Sequence, residues 1–205
     1  SGGGIMSTVS ATRAASVDSL VQKTSEHLDG MLRLGVTTVE CKSGYGLSMD
    51  GELKQLEVYR QLSAKHCITL VPTFLGAHVV PGEFQKSRSA YVQLLCENVI
   101  PAIADKKLAR FCDVFIEEGA FSLAEARQVL GTAKQHGMGL KIHADQLSNG
   151  GGALLAAELH AVSAEHLEYI SPEGIVALAQ AGVVAVSLPL ASLYLRERYL
   201  PARQM

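Results

Sequence analysis

The 205-residue chain has no apolar run approaching the ~18 residues that span a bilayer, and its N-terminus carries no charged-then-apolar leader, so a cytoplasmic protein is expected. It also lacks a basic stripe. Lys and Arg are interspersed with Asp and Glu, the formal net charge is −2, and no aromatic platform interleaves with cations, which argues against a nucleic-acid partner. Cys41, Cys67, Cys96 and Cys112 stand far apart and form no Cys-x-x-Cys. That spacing disfavours a structural zinc knuckle and suits a reducing compartment, with the thiols packed as small apolar side chains. The clusters Gly2-Gly3-Gly4 and Gly150-Gly151-Gly152 match neither GxxxxGK nor GxGxxG after a strand, so nucleotide binding is not expected. What remains is a chain that is 48% apolar, long enough to bury a real core, and free of low-complexity linkers.

An amphipathic helix followed by a short β-branched run recurs throughout. Helical spacing of Val17, Leu20, Val21, Leu28, Met31, Leu32 and Leu34 predicts a helix over about 16–34, stopped by Gly35, with a strand at 36–41. Asp50 is the expected N-cap of a helix ending near Lys65, and 67–74 the next strand. A helix over about 88–104 is interrupted or restarted at Pro101, ahead of a strand at 111–116. Ser122 and Glu125 spell a capping box for a helix to about His136. Strands at 140–143, 161–165 and 183–187 alternate with helices at about 151–159 and 171–181, Pro172 sitting in the first turn of the last. Strict alternation implies parallel strands joined by right-handed crossovers, either in a TIM-like barrel or in an open doubly wound sheet. Glu40, Glu117, His143 and His166 fall at or just past the C-terminal ends of successive strands, which favours the barrel rim over a single switch point. The expected fold class is therefore α/β, a partial (β/α)8 barrel of about six β/α units, with residues 1–205 forming one incomplete domain.

Three histidines stand at strand ends. His143 closes Lys141-Ile142-His143, His166 closes Ser163-Ala164-Glu165-His166, and His78 follows Leu75-Gly76-Ala77. Neutral imidazole is a good zinc or iron ligand, and three rings at one end of three strands are hard to attribute to packing alone. His27, His66, His136 and His160 lie in helices or at their C-terminal ends and read as structural. Tyr45, between Gly44 and Gly46, sits on a loop able to offer its phenol to a ligand.

Five segments carry a resemblance: Gly2-Gly3-Gly4-Ile5 with Thr8-Val9 and Ala11-Thr12-Arg13; Glu40 to Leu47; Thr73 to His78; Lys141-Ile142-His143-Ala144-Asp145-Gln146; and Ser163 to Glu168. In order and spacing they resemble the imidazolonepropionase family of the amidohydrolase superfamily. The resemblance implies a (β/α)8 barrel with one zinc or iron ion per complete site. On it, His143 is the metal ligand and His166 sits beside the attacking water; Tyr45, His78 and Gln146 contact the substrate. The implied reaction is hydrolysis of 4-imidazolone-5-propanoate to N-formimino-L-glutamate, in histidine degradation. It also implies a His-x-His pair from the first strand and an Asp from the eighth, neither of which this sequence contains. In Leu188-Pro189-Leu190-Ala191-Ser192 the family's Leu-Pro-Gly has lost its glycine. The chain thus reads as a central piece, expected to be inactive alone. A homodimer acting on a small molecule is the expected assembly. The alternatives are a related amidohydrolase acting on another heterocycle, and a non-catalytic barrel fragment that self-associates through open strand edges.

Overall fold

The computed structural model describes residues 5–205, so Gly2-Gly3-Gly4 lies outside the described residues. The chain divides into two compact units, one running to Gly76 and including Val80–Phe111, the other comprising Ala77–Val79 and Cys112–Met205. Within each unit the strands lie side by side in the order in which they occur along the chain. No helix of the described residues is long and apolar enough to cross a membrane.

The first unit opens with α1 (Ile5–Ala14), to which the sequence reading assigned no element. Its amphipathic signal is weak, but Val9 is buried, and the guanidinium of Arg13 donates to the carbonyls of Gly46 (2.6 Å) and Leu47 (3.0 Å). In α2 (Val17–Arg33) the Ser16 hydroxyl caps the N-terminus by accepting from the Ser19 N–H. Leu28 from α2 packs with Cys41, Val58, Leu62, Ile68 and Leu70 in the core of this unit. Strand β1 (Thr38–Lys42) pairs in parallel with β2 (Thr69–Ala77), from Thr38 opposite Thr69 to Lys42 opposite Thr73.

Helix α3 (Met49–Ser63) is capped by Ser48, not by Asp50 as the sequence reading expected. The Ser48 backbone is extended and its hydroxyl accepts from the Gly51 N–H at 3.2 Å; Asp50 already lies inside the first turn, where its charge complements the helix dipole. Strand β2 runs three residues past the expected end. A Cβ on Gly76 would meet the Phe74 ring at 2.4 Å, so glycine lets the chain continue beside that buried ring. The expected 88–104 helix is α4 (Arg88–Leu94), a π-helical turn at Leu95–Val99, and a restarted α5 (Ile100–Asp105) with Pro101 in its first turn.

The second unit contains β3 (Phe111–Phe115, whose first residue belongs to the first unit), α6 (Leu123–Gln135), β4 (Gly139–Ala144), α7 (Gly152–Leu159), β5 (Ser163–His166), α8 (Pro172–Ala181), β6 (Val184–Val186) and α9 (Pro189–Leu195). Ser122 and Glu125 form the reciprocal capping box of α6, whose buried face is Ala126, Val129, Leu130 and Ala133, the i, i+3, i+4, i+7 stripe of an amphipathic helix. Strands β4 and β5 pair in parallel with His143 opposite Glu165, and β5 and β6 with Ser163 opposite Val184. The thiols Cys41 and Cys112 are buried as expected; Cys96 is half-buried and Cys67 exposed.

Candidate metal and catalytic centre

Side chains alternate along a strand, so Leu140, Ile142 and Ala144, all buried, share one face of β4 while Lys141 and His143 share the other. The register puts Glu165 of β5 opposite His143. Asp113, fully buried on β3, places its carboxylate oxygens 3.1 and 3.0 Å from Nδ1 of His143. On the far side of the ring, Nε2 stands 3.7 Å from Oε2 of Glu165. The other oxygen of Glu165 pairs with Lys141 Nζ at 2.8 Å and accepts from the Ser163 hydroxyl at 3.3 Å. A buried carboxylate is costly unless paired, and here the Lys141 ammonium offsets the second negative charge.

Around this row stand the other two strand-end histidines. The His166 ring centroid lies 5.3 Å from that of His143, and the His78 centroid 6.4 Å from it, with Phe115 6.1 Å from both His78 and His143. His166 and Leu167 both adopt left-handed backbone conformations, φ +76° and +65°. Two consecutive non-glycine residues in that region carry strain that surrounding contacts must hold, a feature common at functional sites. The Glu168 carboxylate, 2% exposed, lies 3.8 Å from Nδ1 of His166 and accepts from the Ser192 hydroxyl at 2.6 Å.

Gln146 is half-buried on the loop after β4. That loop is tied at two points. Glu117 accepts from the N–H groups of Leu147 (2.8 Å) and Ser148 (3.2 Å) and from the Ser148 hydroxyl. Burial opposes ionisation of Glu117, yet the hydrogen bonds from Ser148, Leu147 and Glu118 together hold its carboxyl below the usual range. Asp145 accepts from the N–H groups of Gly150, Gly152 and Ala153, capping the start of α7, so the second glycine cluster shapes a helix start around a carboxylate. Burial pushes the Asp145 carboxyl up, and those N–H groups pull against it.

Tyr45 belongs to the first unit. Its loop is built around Glu52, fully buried, whose carboxylate accepts from the N–H groups of Gly44 (2.9 Å), Gly46 (2.9 Å) and Leu47 (2.7 Å). The Tyr45 N–H donates to Gln55 Oε1 at 3.1 Å. Gly44, at φ +96°, and Gly46, where a Cβ would stand 2.2 Å from the Gly51 carbonyl carbon, admit no side chain.

The structure thus gathers His78, His143 and His166, seats Gln146 on the next loop of the same unit, and fixes the Tyr45 loop within the other. Among the remaining histidines, His66 accepts from the Ile68 N–H, while His136 and His160 are helix C-caps. Sequence reasoning passed over Asp113 and Glu165. The available signal was a lone charge inside Phe111-Cys112-Asp113-Val114-Phe115, and strand parity placing Lys141 on the face of His143.

Asp113, His143 and Glu165 offer one ligand atom each within 4.8 Å of one another. A nitrogen donor with carboxylate oxygens suits zinc or iron. Two ligands bound at ~2.1 Å to a tetrahedral ion stand roughly 3.4 Å apart. The 3.7 Å between His143 Nε2 and Glu165 Oε2 is close to that separation, so the residues present fit a divalent ion.

Comparison with solved structures places the architecture. The chain superposes on 5-methylcytosine deaminase from Klebsiella pneumoniae with a TM-score of 0.66 (14% identity, 91% of this chain and 48% of that one). On an adenosine deaminase from Xanthomonas campestris, solved with bound zinc, the TM-score is 0.65 (19% identity, 96% and 46%). The fold is that of the amidohydrolase TIM-barrel enzymes, present here as six parallel β/α units. No family model matches the chain. The resemblance to imidazolonepropionase is nevertheless borne out along its whole length. It is 54% identical to the imidazolonepropionase of Symbiobacterium thermophilum over 206 residues and 52% identical to that of Xanthomonas axonopodis pv. citri over 200 residues. The chain spans about half the length of these curated relatives, 48% and 49% respectively.

Proposed function

We propose that this chain contributes part of the active site of a metal-dependent hydrolase that opens 4-imidazolone-5-propanoate to N-formimino-L-glutamate in histidine degradation. What supports the reading is the meeting of the His78, His143 and His166 rings, with buried carboxylates beside His143 and His166, in a chain about half identical to imidazolonepropionases. On this proposal His143 is a ligand of one zinc or iron ion per complete site. When bound, such an ion supplies Lewis acidity, making water a better nucleophile near neutral pH and polarising the ring carbonyl.

The remaining work falls to the protein. His166 is the catalytic residue beside the attacking water, where it either stabilises the developing oxyanion or relays the water's proton toward the ring nitrogen released as the C–N bond breaks. His78 and Gln146 hydrogen-bond the substrate, Gln146 without moving a proton, since an amide does not titrate. Tyr45 steadies the planar ring and its charged tail, so the carbonyl carbon stays within attack distance. The same proposal takes residues 1–205 as one barrel domain, a homodimeric assembly and a cytoplasmic setting.

The test is loss of imidazolone absorbance with zinc or iron added. A polypeptide of the relatives' length containing this segment is expected to turn over, and the His143→Ala variant to fall by at least about 100-fold, as for loss of a metal ligand. Equal rates in the two would end the proposal. The 205-residue chain alone is expected to show no turnover, because a catalytic zinc normally needs three or more protein ligands.

A further inference from the structure

We propose that Asp113 is a positioning residue that holds a proton on Nδ1 of His143 and so turns Nε2 toward the ion; the inference rests on the reading of His143 as a metal ligand. Both Asp113 oxygens lie at hydrogen-bond distance from Nδ1, 3.1 and 3.0 Å, which is shorter than the roughly 3.4 Å separating two ligands of one tetrahedral ion. Asp113 therefore meets this nitrogen as a hydrogen-bond acceptor, outside the coordination shell. At the opposite nitrogen Glu165 stands at 3.7 Å, beyond direct hydrogen bonding but near the spacing an intervening ion sets.

The two carboxylates consequently have different tasks although both are buried and both face one ring. Glu165 is held from behind by Lys141 at 2.8 Å, leaving its other oxygen toward His143. Asp113 lies deepest, fully buried, on a strand whose neighbouring Cys112 and Val114 are also fully buried. A carboxylate acceptor held there selects the tautomer with Nδ1 protonated, orients the ring plane and leaves the Nε2 lone pair for the ion. In water a neutral imidazole more readily carries its proton on Nε2, the wrong atom for this geometry.

Two-bond 1H–15N correlation spectra of the 205-residue chain, taken without metal, read the His143 proton directly. Zinc affinity from competition with a chromophoric chelator provides the second measurement. A protonated Nδ1 is expected in the unsubstituted chain. Asp113→Ala is expected to move the proton to Nε2 and weaken zinc binding by about 10- to 100-fold. Asp113→Asn, of nearly the same volume but able to turn its NH2 toward a bare Nδ1, is likewise expected to move the proton to Nε2 and weaken zinc binding, and it stands in should the alanine variant unfold. A bare Nδ1 in the unsubstituted chain would overturn the inference. So would an Asp113→Ala variant with unchanged tautomer and zinc affinity while His143→Ala loses zinc. If His143→Ala binds zinc as well as the unsubstituted chain, the ligand reading of His143 fails, while the metal-free spectrum still decides whether Asp113 holds the proton.

Discussion

Glu52 illustrates how one buried side chain shapes a whole loop. Burial pushes its carboxyl up, and the hydrogen bonds from Ser43, Leu47, Gly44 and Gly46 oppose that shift. Truncation would leave several buried N–H groups without acceptors, each costing about 1–3 kcal/mol. Glu52→Ala is therefore expected to lower unfolding free energy in urea by about 3 kcal/mol or more; a loss under 1 kcal/mol would show that the loop does not depend on it. Glu117 gives a pH signature of known sign. Its folded carboxyl titrates below its unfolded value, so its stabilisation is fully present above the unfolded value, near pH 4.5, and is lost as pH falls through the lower folded value. Urea midpoints measured from pH 6 downward are expected to fall in that acidic window, and to fall less in Glu117→Gln. The Asp113 pairing was not legible at this scale because Asp113 lies 30 residues before His143, and only strand pairing brings the two together.

At the scale of elements, local chemistry accounts for most starts and stops. The capping box at Ser122 and Glu125 joins side chain to backbone within four residues, so it could be read from the sequence and recurs in the structure. Ser122→Ala is expected to cost about 1 kcal/mol, shifting Tm down by about 2–4 °C in a calorimetric scan. Helix α7 depends on contacts the sequence conceals. A Cβ on Gly152 would stand 2.7 Å from the Ala144 Cβ of β4, so Gly152→Ala is expected to destabilise despite alanine's better helix propensity. A gain in Tm would contradict that packing. The misplaced cap of α3 and the missed α1 have different causes: Ser48 caps α3 locally through the Gly51 N–H but stands two residues from Asp50, another residue type suited to capping, whereas α1 is held in part by Arg13 reaching the distant Gly46 and Leu47 carbonyls.

For the whole molecule, Leu190, Leu193 and Tyr194 of α9 are 79%, 61% and 87% exposed, an apolar surface of the sort that drives association. Sedimentation velocity of the 205-residue chain is expected to show self-association that Leu193→Glu weakens; a monomer at all concentrations would count against the proposed homodimer.

Alternating strand and helix signals, with strand-end histidines, were enough to specify parallel β/α units and one end at which three imidazole rings gather, because hydrophobic periodicity and capping act over a few residues. Sequence alone also singled out His78, His143 and His166. Only tertiary structure decided that Asp113 and Glu165 face opposite nitrogens of His143, and that Glu52 and Glu117 hold the two loops. Those relations depend on strand register and on which buried donors meet which acceptors, and neither is encoded in spacing along the chain.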